Sequence, residues 1–280
     1  MAADTGQIPQ FLRTADPDRY LSTLYAPAEK RAALTALYAF DAEIAGIRAR
    51  VSEPLPGEIR LQWWRDVIAA PDPAVAAAGN PLAEALAETI ADYRLPKPAF
   101  GQYLDARIFD LYDDPMPDRT ALEAWAGETV SLIVQMAAQI LNDGNDPRVA
   151  DAAGHAGVAL SLTRLLATAP VWLARGQMYV PADMLAAAGT SAESLRDGGE
   201  GAARAVAAMV ALAREHLSKA EAAIVPLDAH LKLAFLPLAT VAPLLDCVAK
   251  AGEGALRDVT RLSPLRRQWL IFRRAAAIAR

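Results

Sequence analysis

What most constrains this chain is where its helix breakers fall. Prolines and glycines cluster between runs rich in Ala and Leu, and no stretch alternates apolar with polar residues long enough to make a strand. From Ala28 to about Val51 there is neither Gly nor Pro until Gly46, and Leu34, Leu37, Tyr38, Ile44 and Ala45 recur at helical spacing. Asp16-Pro17-Asp18 and Pro27-Ala28-Glu29 read as helix starts, because a proline in the first turn gives up an N–H that the turn does not use. Pro54 and Pro56 end the first long run, and Glu58 to Ala70 is predicted as a short helix carrying Trp63 and Trp64. These adjacent rings face different sides, so at least one belongs to the core. Pro71 to Asn80 reads as a loop, and helices are predicted over 82–93, 97–112, 119–142, 148–174, 181–188, 193–222, 229–251 and 264–279. The expectation is an all-α chain, a single domain over 1–280.

Composition narrows the function classes. The chain has 280 residues, enough for a core and a cavity within it. Its net charge is −5 and its pI about 5.3, which gives no electrostatic reason to bind nucleic acid. Cys247 is the only cysteine, so no intrachain disulfide forms, a reducing compartment is expected, and the thiol reads as a small core residue. Met1 to Gln10 lacks a basic start followed by an apolar run, so no secretory signal is expected there. No run of about 18 uninterrupted apolar residues occurs, so no spanning helix is expected. A soluble, cytoplasmic protein follows from these signs.

The common chemical signatures are missing. His155, His216 and His230 lie far apart, each without a second ligand at metal spacing, and read as isolated surface or core histidines. There is no Gly-rich phosphate loop. Asp105, Asp110, Asp113 and Asp114 form the one dense acidic cluster. Asp110 and Asp114 are four apart, but Pro115 follows at once, and Asp-Asp-Pro reads as a helix end and turn.

Three segments carry a pattern. The first runs from Arg19-Tyr20-Leu21 through Pro27 and Lys30-Arg31 to Tyr38-Ala39-Phe40; the second is Leu122 to Val134, with Trp125-Ala126-Gly127; the third runs from Gly157 through Arg164-Leu165-Leu166 to Gly176-Gln177-Met178-Tyr179-Val180-Pro181. In order and spacing they resemble the squalene/phytoene synthase family, which joins two prenyl diphosphates head to head. The resemblance covers the chain from about Asp16 onward. It implies the all-α isoprenoid-synthase fold, a helical bundle around a central apolar cavity, with helices 28–51 and 148–174 facing each other across it.

In that family two helices each carry aspartates four apart, so that both carboxylates face one way and hold Mg²⁺ on the diphosphates. Apolar walls keep water from the carbocation. With Tyr38-Ala39-Phe40 set on the start of the first motif, its Arg position holds Ala42 and its Asp positions hold Ala45, Gly46 and Ala49. With the second motif anchored on Tyr179 and Pro181, Gln becomes Ser161, Asn becomes Arg164, Arg becomes Ala167, and the aspartates become Thr168 and Trp172. Asp41 and Glu43 cannot replace the first pair, since residues two apart on a helix point in different directions. No carboxylate lies between Asp151 and Asp183, and Arg164 would repel a metal.

Phe40 to Ala45, Ile59 to Trp64, and Leu166-Ala167-Thr168-Ala169-Pro170 resemble a divergent branch of the family that keeps the fold, has lost the aspartates, and includes an assembly factor of respiratory complex I. The resemblance implies a non-catalytic protein with no catalytic residue, metal or cofactor. Its partner would be a respiratory-complex subunit or assembly protein, and a prenyl or quinone-like lipid could occupy its pocket. The candidate pocket residues are Tyr20, Tyr38, Asp41, Ala45, Trp125, Arg164, Thr168, Trp172 and Tyr179. The tyrosines can equally be core, Arg31 a solvated helix face, and Arg60 a surface ion pair. The competing class is an active prenyltransferase with a rearranged site, which alone would need Mg²⁺. Finally, Arg257 to Arg280 holds seven arginines against one acid, Asp258. With Leu265, Trp269, Leu270 and Phe272 this stretch reads either as a basic amphipathic helix on the inner membrane or as a cap on the bundle.

Overall fold

Proline positions explain several helix starts in the computed structural model, which describes residues 6–279. Met1 to Thr5, part of the stretch read as lacking a secretory signal, and Arg280 lie outside the described residues. Pro17, Pro73, Pro81 and Pro264 each stand in a first helical turn, behind Asp16, Asp72, Asn80 and Ser263, whose side chains accept from the backbone N–H three residues on. Pro54 also opens a helix, Pro54–Ala69, where the sequence suggested a break with a start at Glu58. The expected loop at 71–80 contains the short helix Pro73–Ala76. An N-terminal helix, Gln7–Ala15, precedes the first expected element; Leu12 is fully buried and Ile8 and Phe11 pack on the core. Among the described residues no strand forms, and Pro115 and Met178 make an isolated bridge.

The centre is built from small residues. Helices Ala150–Ala167 and Glu200–Ile224 make the most extensive helix–helix contact of the structure, through faces rich in Ala. The predicted helix 119–142 is interrupted at Gly127–Ser131 by one wide π turn, against which Ala150–Ala167 crosses. At the crossing, a Cβ on Gly157 would lie 2.1 Å from Ser131 Oγ and 2.3 Å from the Ser131 backbone N, so only glycine fits. The predicted helix 148–174 ends its regular part at Ala167 and restarts as Ala169–Leu173 around Pro170.

The first-motif helix is Arg31–Ala45. Every residue from Ala33 to Ala42 is buried, so it is an interior helix, packed on Gln7–Ala15, Pro17–Thr23, Pro81–Asp92 and Leu132–Leu141. Of the two tryptophans, Trp64 is buried beside Phe40 and Trp63 is half in water. The helical stretch 229–256 has the length to cross a membrane and contains an 18-residue window of mean hydropathy 1.7. Here Phe235, Leu236, Leu238, Val241, Leu245 and Val248 point into the bundle, and Pro237 bends the segment into 3-10 turns.

Candidate functional site

An interior helix can bury a carboxylate only if other groups neutralise it. Asp41, in the last turn of Arg31–Ala45, is 1% exposed. It accepts hydrogen bonds from the Arg19 guanidinium, from the Tyr103 hydroxyl at 2.5 Å and from Arg107 Nη2 at 2.8 Å. Arg107 opens the 3-10 turn Arg107–Leu111, in which residues three apart eclipse, and its Nη1 donates to Asp110 Oδ2 at 3.0 Å. Tyr179 donates to Asp110 Oδ1 at 2.9 Å, and Gln177 Nε2 donates to the Asp110 carbonyl at 2.8 Å. The Gln177–Tyr179 turn is held in turn by the Met116 N–H on the Met178 carbonyl. The Trp125 and Trp172 rings lie 5.5 and 5.6 Å from Tyr179, and Arg107 sits over Tyr103 and Trp125.

The network balances two guanidiniums against two carboxylates. Burial pushes the Asp41 carboxyl up, but Arg19, Arg107 and the Tyr103 hydroxyl outweigh it and hold the group well below the usual carboxylate range. Asp110 is pushed up by burial, against the opposing charge of Arg107. Burial raises Tyr38 to about 12 and drives Tyr103 and Tyr179 up as well, so all three phenols are neutral. Asp41 and these phenols are far from any proton exchange near pH 7.

Beside the network lies a cleft of about 450 Å³. One wall is the second-motif helix, with Leu160, Ser161, Arg164 and Thr168; the other walls are the turn Thr14–Arg19, residues Pro237 to Leu244, and Val259 to Arg267. The lining is apolar at Val130, Leu160, Val171, Val241 and Leu244 and charged at Asp16, Asp18, Arg164, Arg261 and Arg267. Asp16 lies 3.5 Å from Arg164 and 3.7 Å from Arg19. Asp18 pairs with Arg267 at 2.6 Å and accepts from Thr240 at 3.1 Å. Burial, helped by Asp16 and opposed by Arg267, lifts the Asp18 carboxyl to about 6. Ser161 Oγ is buried on this wall and has no hydrogen-bond partner among the described residues. No group of three or more His, Cys, Asp and Glu among the described residues is placed to hold a metal.

An all-α bundle of this arrangement is the isoprenoid-synthase fold. A dehydrosqualene synthase structure superimposes with a TM-score of 0.81 at 16% identity, over 99% of this chain and 96% of that one. The squalene synthase HpnC of Alicyclobacillus acidocaldarius matches with a TM-score of 0.72 at 18% identity, over 89% and 94% of the two chains. At such identity the likeness shows the fold alone. The squalene/phytoene synthase family model matches residues 12–268, and the chain belongs to that family. It is 31% identical to NADH dehydrogenase (ubiquinone) complex I, assembly factor 6, of Bos taurus over 187 residues, which are 66% of this chain and 55% of that protein. The chain therefore spans about half the length of the curated relatives it matches.

The structure divides the candidate pocket residues into three groups. Arg164 and Thr168 line the cleft. Asp41 and Tyr179 belong to the buried network, with Tyr38 and Trp125 packed against its arginines. Trp172 turns inward and donates its indole N–H to the Leu165 carbonyl at 2.9 Å, Tyr20 packs half-buried on the core, and Ala45 ends its helix half-buried. The first-motif helix contributes no lining residue to the cleft; Arg19, bound to Asp41, stands between them. Glu43 points elsewhere and is gripped by both terminal nitrogens of Arg50 at 2.8 Å.

Several partners escaped the sequence reading. Arg107 carried no signal, and Asp110 was visible but read as part of a helix end. Of its cluster, only Asp110 is interior, while Asp105 pairs with Arg65 and Asp113 with Arg48 at 3.3 Å. The histidines are a correction: His155 and His216 are not isolated. Their Nδ1 atoms are 3.0 Å apart, because two helices 61 residues distant in sequence pack face to face, and His216 Nε2 lies 3.1 Å from Glu123.

Proposed function

We propose that this protein is a non-catalytic member of its family that assists the assembly of a membrane respiratory complex of the complex I type, and that its cleft accepts a prenyl or quinone-like lipid. One observation carries the reading. The carboxylates that remain on the first-motif helix are each bound to arginines, and the second-motif wall of the cleft presents Arg164 and Thr168 instead of acids. Arginines in these places neutralise a site that a metal would need to be acidic. The similarity to a complex I assembly factor over 66% of this chain supports the partner class. The cleft volume of about 450 Å³ and its apolar lining suit a lipid tail, and the unpartnered Ser161 hydroxyl gives a polar tip somewhere to bond.

The competing reading, an active prenyltransferase, would have to use Asp16 and Asp18, the carboxylates on the cleft, although arginines hold both. The pure protein incubated with farnesyl or geranylgeranyl diphosphate and Mg²⁺ should give no condensation product. Squalene or phytoene formation abolished by EDTA would overturn the non-catalytic reading. Deleting the gene should lower assembled complex I on native gels, and an unchanged level would overturn the assembly role.

A further inference from the structure

The C-terminal helix Pro264–Ile278 is fastened to the bundle along one side only. Ile271 and Ala275 are buried, Arg267 pairs with Asp18, and Arg274 pairs with Glu221 at 2.6 Å. Ser263 caps its first turn. Positions 265, 269, 272 and 276 fall on a different stripe at helical spacing. There Leu265 is 79% exposed, Trp269 58% and Phe272 49%, with the last two rings 5.9 Å apart. The stripe does not stand alone. Leu24 and Tyr25, exposed at the end of helix Pro17–Thr23, lie across a shallow groove from Leu265, Trp269 and Phe272. Large apolar side chains gathered from two elements are unusual on a free surface and mark a contact site.

Charge indicates what that contact is. Arg266 and Arg273 are exposed along the edge of the stripe, and neither side chain has an ion-pair or hydrogen-bond partner among the described residues. The arginines that anchor the helix are thus distinct from those that flank the apolar stripe. Aromatic and aliphatic side chains beside unpaired arginines, on a chain of net charge −5, complement a surface that is anionic outside and apolar just beneath.

We propose that this face, Leu24, Tyr25, Leu265, Trp269 and Phe272 edged by Arg266 and Arg273, docks the protein on an anionic lipid bilayer. The rings enter the headgroup boundary while the arginines meet lipid phosphates, and the acidic remainder of the chain stays in water. Docking is reversible, because two arginines and a few shallow side chains fall far short of a spanning anchor. The inference does not rest on the assembly role, and no residue of this face lines the cleft.

The test is co-sedimentation of the full chain with vesicles of phosphatidylcholine alone or with about a third of phosphatidylglycerol. Wild type should pellet with the anionic vesicles at low salt, come off as salt rises, and ignore the neutral ones. R266Q/R273Q should lower the partition coefficient by about 25-fold, roughly fivefold per arginine. W269S/F272S should abolish pelleting while keeping the wild-type circular dichroism and thermal midpoint, since both side chains are already exposed. V75S, an equally exposed apolar residue on another face, should change nothing. Equal pelleting with neutral vesicles, no pelleting at all, or an unaffected W269S/F272S would overturn the proposal. So would a wild-type dimer in sedimentation velocity that W269S/F272S dissociates in the absence of vesicle binding, which would make the face an interface between copies.

Discussion

Replacing Asp41 by Asn removes one charge from the interior and leaves the side-chain shape almost unchanged. In the native structure that carboxylate receives Arg19, Arg107 and Tyr103. After the change Arg107 keeps Asp110, whereas Arg19 keeps only Asp16 at 3.7 Å, and both guanidiniums stay buried. Breaking one partner out of a buried ion pair costs about 3–5 kcal/mol, a large share of the roughly 5–15 kcal/mol of a typical domain. For a chain this long the thermal midpoint should drop by on the order of 10 °C. Urea unfolding at pH 7, followed by circular dichroism, reads the loss directly. R19M/D41N should lose less than the sum of the two single changes, because removing Arg19 also removes the charge that D41N strands. The acid limb gives a second reading. Asp41 has its folded pKa depressed, so its contribution is complete above the usual carboxylate pKa and is lost as pH falls below it; D41N should flatten that part of the pH profile. A carboxylate retained for activity behaves in the opposite way, since removing it commonly stabilises the fold. If D41N unfolds within about 1 kcal/mol of wild type, or is more stable, the network is not structural and the reasoning fails.

Three other outcomes are expected. Gly157→Ala should destabilise by about 1–3 kcal/mol despite the better helix propensity of Ala, because the new Cβ meets Ser131 backbone atoms at 2.3 and 2.4 Å; a gain in thermal midpoint would refute the close approach. His216 is held below its ordinary pKa mainly by burial, with Glu123 opposing, so the unfolded chain takes up its proton first as pH falls through about 6.5. Wild-type stability should therefore decline relative to His216→Gln by up to about 1.4 kcal/mol per pH unit below that point, and parallel profiles would show that His216 does not titrate this way. Ser263→Ala removes the cap on the Arg266 N–H and should cost about 1 kcal/mol and fray the first turn of the last helix, visible as faster amide exchange there; unchanged exchange would remove the cap from the account.

What the sequence determined by itself is the local half of this protein. Breaker spacing and apolar period predict helices because both act within one or two turns, and even the missed boundaries at Pro54 and Ala167 are local matters of where a proline is tolerated. The substitutions at Ala45, Ala49, Thr168 and Trp172 are legible for the same reason, since a carboxylate is present in the chain or it is not. The N-terminal helix went unassigned, although Ile8, Phe11 and Leu12 give it an apolar face that acquires meaning only against the core.

Only the tertiary structure decided where the remaining charges go. Asp41 could have faced a metal, a lipid or solvent, and its spacing from Glu43 says merely that the two diverge. Its partners Arg19 and Arg107 stand 22 and 66 residues away, and Tyr179 reaches Asp110 across 69. Such pairings follow from how helices cross, which depends on the summed packing of many small residues such as Gly157 rather than on any local period. The same holds for the C-terminal helix, where the sequence shows seven arginines and several apolar residues. Packing alone assigns Arg267 and Arg274 to the bundle and leaves Arg266 and Arg273 beside Trp269 and Phe272 in solvent, because a helix buries one side against its neighbour and must expose the other.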